Sequence, residues 1–144
     1  MPQYVCDTSV IVKWFNQESE ANVRQAEALL EDWIAGTADL LTCDVAVLEL
    51  ANALAKGKGL ASGEVKEALE KLFDLPLETR PTSRELARKT VELAGEYGLT
   101  AYDACFVALA KLQGCRLISD NPRHHGKVRD GTVLMLQDYP VSGP

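Results

Sequence analysis

The sequence predicts an α/β fold, a three-layer α/β/α sandwich with a central parallel sheet. Two patterns carry this prediction. Short apolar runs of four or five residues alternate with longer stretches of helical period. Strands that short, each separated from the next by a helix, imply crossover connections and a sheet covered on both faces. A chain of 144 residues can bury one core and is short for two ordinary domains, so residues 1–144 read as a single domain.

Residues 4–6 form a β-type run ending at Asp7, and residues 8–15 continue with Val10, Ile11, Trp14 and Phe15 at helical spacing, so a strand turns directly into a helix. Ser19 is placed to cap a second helix that reaches Gly36, with Val23, Ala26, Leu29, Leu30, Trp33 and Ile34 as its inner stripe. A second strand is expected over residues 40–43. From Val45 the period is helical again, Leu48, Ala51 and Ala55 making one row until the break at Gly57, Lys58 and Gly59. Ser62 opens a helix with Val65, Leu69, Leu72 and Phe73 on one face. Residues 75–81 form a connector or short strand. Thr82 with Glu85 makes a capping-box signature for a helix whose inner face holds Leu86, Leu93, Ala94 and Tyr97, stopped by Gly98. A helix from Ala101 turns Tyr102, Phe106, Leu109 and Leu112 inward and ends at Gly114. Strands are then expected over residues 116–119 and 132–136.

Composition narrows the function classes. The 47% hydrophobic and 25% charged content argues against disorder. Without a basic start or a long apolar run, neither secretion nor membrane insertion is expected, and the chain is placed in the cytoplasm. Cys6, Cys43, Cys105 and Cys115 fall singly, with no C-x-x-C pair to suggest zinc or redox work, so they read as buried free thiols, a regulatory disulfide remaining open. The net charge of −6 is unusual for a protein that handles nucleic acid. Lys111, Arg116, Arg123, Lys127 and Arg129 nevertheless form a local basic edge, interrupted only by Asp120. His124 and His125 fall in a loop and are given no catalytic part.

In open parallel sheets ligands gather outside the carboxyl ends of the strands, so the chemistry is sought there. Asp7 ends the first strand, Asp120 and Asn121 follow a later one, and Asp103 lies in a helix's first turn. Asp7 could equally cap a helix, and Asp103 could serve the helix macrodipole. Glu49 is different, because Val45, Leu48, Leu50, Ala51 and Ala53 surround it and a buried carboxylate needs a partner. Asn52, close by on the same helix, is placed to orient that carboxylate or a water. Crowded carboxylates call for a divalent cation, and oxygen-only ligands favour Mg²⁺ or Mn²⁺.

The segments Val5-Cys6-Asp7-Thr8-Ser9-Val10, Leu48-Glu49-Leu50-Ala51-Asn52-Ala53-Leu54 and Leu99-Thr100-Ala101-Tyr102-Asp103-Ala104 resemble PIN-domain nucleases, most closely the VapC-type toxins of toxin–antitoxin pairs. The resemblance spans nearly the whole chain. It implies a Mg²⁺- or Mn²⁺-dependent endoribonuclease, often dimeric and inhibited by a cognate antitoxin. Asp7 and Asp103 would hold the metal, Glu49 would complete the acidic pocket and help activate water, and Thr8 and Ser9 would supply supporting hydrogen bonds. The family commonly shows Thr-x-Asp after the later strand, where this chain has Ser119-Asp120-Asn121. Strict alignment puts Asn121 in the fourth acidic position, and a shifted turn would present Asp120, the residue favoured for that place.

Two other readings stay open. A phosphate-accepting receiver-like domain also uses acids and Mg²⁺ at strand ends, but it needs paired acids near the first strand and a late lysine. A non-catalytic interaction module on the same scaffold would show a degraded site, against which Asp7, Glu49 and Asp103 stand. For an antitoxin, exposed apolar residues on the helices spanning 23–34 and 62–73 are the candidate contact surfaces.

Overall fold

The computed structural model describes residues 1–142. Strand β1 (Gln3–Cys6) leads into helix α1 (Thr8–Ile11), extended by a 3-10 turn at Val12–Trp14. Then come α2 (Val23–Ile34), β2 (Asp39–Cys43) and α3 (Val45–Asn52), which continues as a π turn over Ala53–Gly57. Helix α4 (Ser62–Asp74), strand β3 (Glu78–Arg80), α5 (Arg84–Tyr97), α6 (Ala101–Gln113) and β4 (Arg116–Ser119) follow. A 3-10 turn at His125–Lys127, strand β5 (Val133–Met135) and a last 3-10 turn at Leu136–Asp138 complete the order.

The five strands form one parallel sheet in the order β3-β2-β1-β4-β5. With its helices it makes the expected three-layer α/β/α sandwich. Helix α6 packs across β1, β2 and β4, with α5 against it. Right-handed crossovers put the helices between β1 and β3 on the opposite face. Residues Ala104 to Ala110 of α6 are all buried, because this helix is wedged between α5 and the sheet. The strand order reverses between β1 and β4, which opens a crevice at their carboxyl ends. This order also differs from the 2-1-3-4-5 order of receiver-type sheets, so the receiver-like reading is set aside.

Several sequence expectations need correction. Ser19 caps nothing: it has φ 59°, and Asn22 at φ 56° is the cap position of α2. The Asn22 side chain is used elsewhere, donating to Asp120 at 2.9 Å. Helix α5 is capped by Ser83, whose hydroxyl accepts from the Leu86 amide at 3.1 Å, so the start lies one residue beyond Thr82. Tyr102 points outward at 62% exposure, and Leu48, Ile34 and Phe73 are likewise exposed. Residues 75–81 contain a three-residue edge strand, and the last strand stops at Met135 because the chain turns into a 3-10 helix. The stops at Gly98 and Gly114 are as expected, both in the left-handed conformation at φ 65°.

Candidate active site

Asp7 follows β1 where the strand ends, its amide donating to the Ile118 carbonyl of β4 at 3.0 Å. It is extended (φ −77°, ψ 156°) and caps α1, so its carboxylate is fixed beside the crevice. The Oδ2 atom is held by the Ser9 hydroxyl at 2.5 Å and lies 3.3 Å from the Ser119 hydroxyl. Among the described residues none donates to Oδ1 of Asp7. Ser9 also accepts from the Asp120 amide at 2.9 Å, tying the turn after β4 to the turn after β1.

Glu49 lies in α3, beyond the end of β2. Its Oε1 accepts from the Thr8 hydroxyl at 2.8 Å, so Thr8 rather than Asn52 sets its orientation. Burial raises the Glu49 carboxyl above its ordinary range, and repulsion from Asp7 and Asp103 adds to this while the Thr8 bond opposes it. Asp103 sits in the first turn of α6, where the Thr100 hydroxyl accepts from its amide at 3.1 Å and lies 3.3 Å from its Oδ2.

Asp7, Thr8, Ser9, Glu49, Asn52, Asp103 and Asn121 line one open cavity of about 360 Å³, together with Ala53, Lys56 and Gly57. Asp120 is not among its lining residues. Its carboxylate pairs with Lys13 at 2.8 Å and accepts from Asn22 at 2.9 Å, so the turn after β4 presents Asn121 to the cavity. The expected basic edge is also absent from the lining: Lys111 pairs with Asp130, and Lys127 reaches the Gly98 carbonyl at 3.2 Å. Lys56 is the cation in the lining, and the spacing Glu49, Asn52, Lys56 was a legible sign that the three share a helix face.

Two buried groups near the cavity were missed. His125 is fully buried, its Nδ1 2.6 Å from the Ser119 hydroxyl and its Nε2 2.9 Å from the Asp103 carbonyl. A carbonyl only accepts, so Nε2 carries a proton, and the imidazole braces the backbone of one acid against the serine beside another. Lys13 is 2% exposed and pairs with Glu20 at 2.6 Å as well as with Asp120. A lysine set between Val12 and Trp14 was a readable signal, since a buried ammonium demands counterions. The position of His125 depends on loop packing that no local pattern reveals.

Among the described residues no three His, Cys, Asp or Glu side chains close into a metal cage. The oxygen donors suit a hard ion that keeps most of its waters and takes only one or two carboxylates, as Mg²⁺ does. The mutual repulsion felt at Glu49 is the charge such an ion relieves. No described helix is long and apolar enough to cross a membrane.

Residues 4–129 match the family model of the PIN domain. Similar solved structures include a toxin–antitoxin complex from Klebsiella pneumoniae, with 22% identity and a TM-score of 0.65, covering 92% of this chain and 97% of that one. VapBC2 from Rickettsia felis, bound to a DNA fragment from its promoter, has 16% identity and a TM-score of 0.69, covering 92% and 98%. FitAcB from Neisseria gonorrhoeae has 21% identity and a TM-score of 0.67, covering 94% and 99%. Among curated proteins nothing matches.

Proposed function

The chain belongs to the PIN-domain family, and from that premise we propose that it is a Mg²⁺- or Mn²⁺-dependent endoribonuclease, the toxin of a VapC-type toxin–antitoxin pair. The observation that carries this reading is the convergence of Asp7, Glu49 and Asp103 on one cavity at the carboxyl end of the sheet. Nuclease chemistry is the common activity of PIN domains, and the RNA substrate and the metal are our assignments.

Asp7, through Oδ1, and Asp103 would hold the divalent ion. When bound, such an ion supplies charge neutralisation at the phosphate and lowers the pKa of a water. Glu49 accepts the proton of the attacking water: Thr8 engages one of its oxygens and leaves the other for this task, and its raised basicity suits it. Ser9 and Ser119 hold Asp7, and His125 braces the Asp103 backbone, so the acids keep their spacing when substrate charge arrives. Asn121 and Asn52 offer amides to the substrate or its waters. Lys56 draws the phosphate backbone to an otherwise anionic opening.

An antitoxin partner is supported by the solved relatives, which are toxin–antitoxin complexes. Exposed Ile34 on α2 and Phe73 on α4 are apolar contacts available to such a partner. We place the protein in the cytoplasm as a homodimer.

The test is cleavage of a mixed single-stranded RNA by purified protein in Mg²⁺, Mn²⁺ or EDTA. Metal-dependent cutting is expected in the wild type, with a loss of at least about a hundredfold in Asp7→Asn and in Asp103→Asn. Folded protein that binds a co-expressed antitoxin but cuts no RNA under any condition would favour the non-catalytic scaffold.

A further inference from the structure

Cys43 closes β2, and Cys105 lies 62 residues later in α6, yet their sulfurs share a buried contact of 3.1 Å. A disulfide needs about 2.05 Å, so the sulfurs must close by only about 1 Å. Among the described residues no other pair of thiols makes such a contact. The two differ in access. Cys43 is fully buried, whereas Cys105 is 7% exposed and lines a surface cavity of about 240 Å³ with Val45, Ala87, Val91 and Tyr102.

We propose that Cys43 and Cys105 are a modification site, forming a reversible disulfide when the chain meets hydrogen peroxide, with Cys105 attacking and Cys43 resolving. The Cys105 thiolate attacks one peroxide oxygen, the O–O bond breaks, and the departing hydroxide takes up the thiol proton as water, leaving a sulfenic acid on Cys105. The Cys43 sulfur then attacks the Cys105 sulfur. The S–S bond forms, the S–O bond breaks, and the hydroxyl leaves with the Cys43 proton as a second water. One peroxide is reduced to two waters and two thiols are oxidised.

Access assigns these roles, because Cys105 lines the surface cavity whereas Cys43 is fully buried and in contact with the Cys105 sulfur. The crosslink would staple the end of β2 to α6, one residue before the cap of α3 and two residues beyond Asp103.

The experiment treats the whole chain with hydrogen peroxide, alkylates the remaining thiols and maps its peptides by mass spectrometry without reduction. The expected product is a monomeric chain lighter by two hydrogens, alkylated at Cys6 and Cys115, with one linked peptide pair containing Cys43 and Cys105 that separates on reduction. Four alkylated thiols, linkage through Cys6 or Cys115, or a Cys105 sulfinic acid without linkage would overturn the proposal. In Cys43→Ser, a Cys105 sulfenic acid captured by dimedone is expected, and its absence from folded protein would remove the assigned order. If that variant does not fold, the wild-type map decides. None of these readouts depends on nuclease activity.

Discussion

Lys13 selects which of two neighbouring side chains faces the cavity. Its buried ammonium requires partners, and Glu20 at 2.6 Å and Asp120 at 2.8 Å supply them. Swinging Asp120 into the cavity would remove one of these counterions, at a cost of several kcal/mol. Asp120→Asn should therefore destabilise the fold by about 1–3 kcal/mol while leaving metal-dependent cleavage within about threefold. Urea unfolding and the RNA assay check both halves, and lost cleavage at unchanged stability would return Asp120 to the site. Glu20 carries a pH signature. Burial opposes its charge, but hydrogen bonds from Lys13 and Lys58 outweigh this and hold its carboxyl below the ordinary value of 4.5. A folded value below the unfolded one stabilises above pH 4.5, and that stability is lost as pH falls through the depressed value. Glu20→Gln should thus flatten the stability profile in this acid range, and identical profiles would exclude the contribution.

Helix α6 joins the site to the core through its first turn. Thr100 caps it and also touches the Asp103 carboxylate, so one hydroxyl serves both the helix and the acid. Thr100→Ala should cost about 1 kcal/mol and weaken Mg²⁺ binding, whereas Thr100→Ser should restore both. Chemical unfolding and metal titration measure the two effects, and a stability loss with unchanged metal binding would limit Thr100 to capping. At this scale the sequence was most legible where one residue type forces local geometry. Asp7 ending a strand and Gly98 and Gly114 ending helices needed no knowledge of the rest of the chain. The Asp7, Glu49 and Asp103 set was readable because each lies where a strand end or helix start delivers it to one edge. Tyr102 was misread because helical period identifies a stripe, not where along the helix the neighbours stop. Ser19 failed because the segment 19–22, left-handed at Ser19 and Asn22, is held by contacts of Glu20 with Lys58 and of Asn22 with Asp120, side chains distant in sequence. His125 was missed because the groups that bury it come from Asp103 and Ser119, on different elements.

For the whole molecule, a chain of net charge −6 concentrates three carboxylates at the reversal of its strand order. Concentrated like charge works against the compact state, and the effect registers at Glu49, raised first by burial and then by Asp7 and Asp103. The sign follows from the raised value. Its stabilising contribution is complete below the ordinary value of 4.5 and is lost as pH rises through the raised folded value, because ionisation is then harder in the folded chain than in the unfolded one. A divalent cation among the acids removes this penalty only where Glu49 is ionised. Mg²⁺ at a hundredfold over its dissociation constant should therefore stabilise the fold by about 2.7 kcal/mol near neutral pH. The gain should shrink as pH approaches 4.5, because Glu49 is then protonated. Differential scanning calorimetry with Mg²⁺, against NaCl at matched ionic strength, separates site binding from general screening. Asp103→Asn should lose most of the Mg²⁺ increment while gaining stability without metal, since it removes one of the repelling charges. Equal increments in NaCl and Mg²⁺, or in the wild type and Asp103→Asn, would mean that the three acids do not act as one cation site.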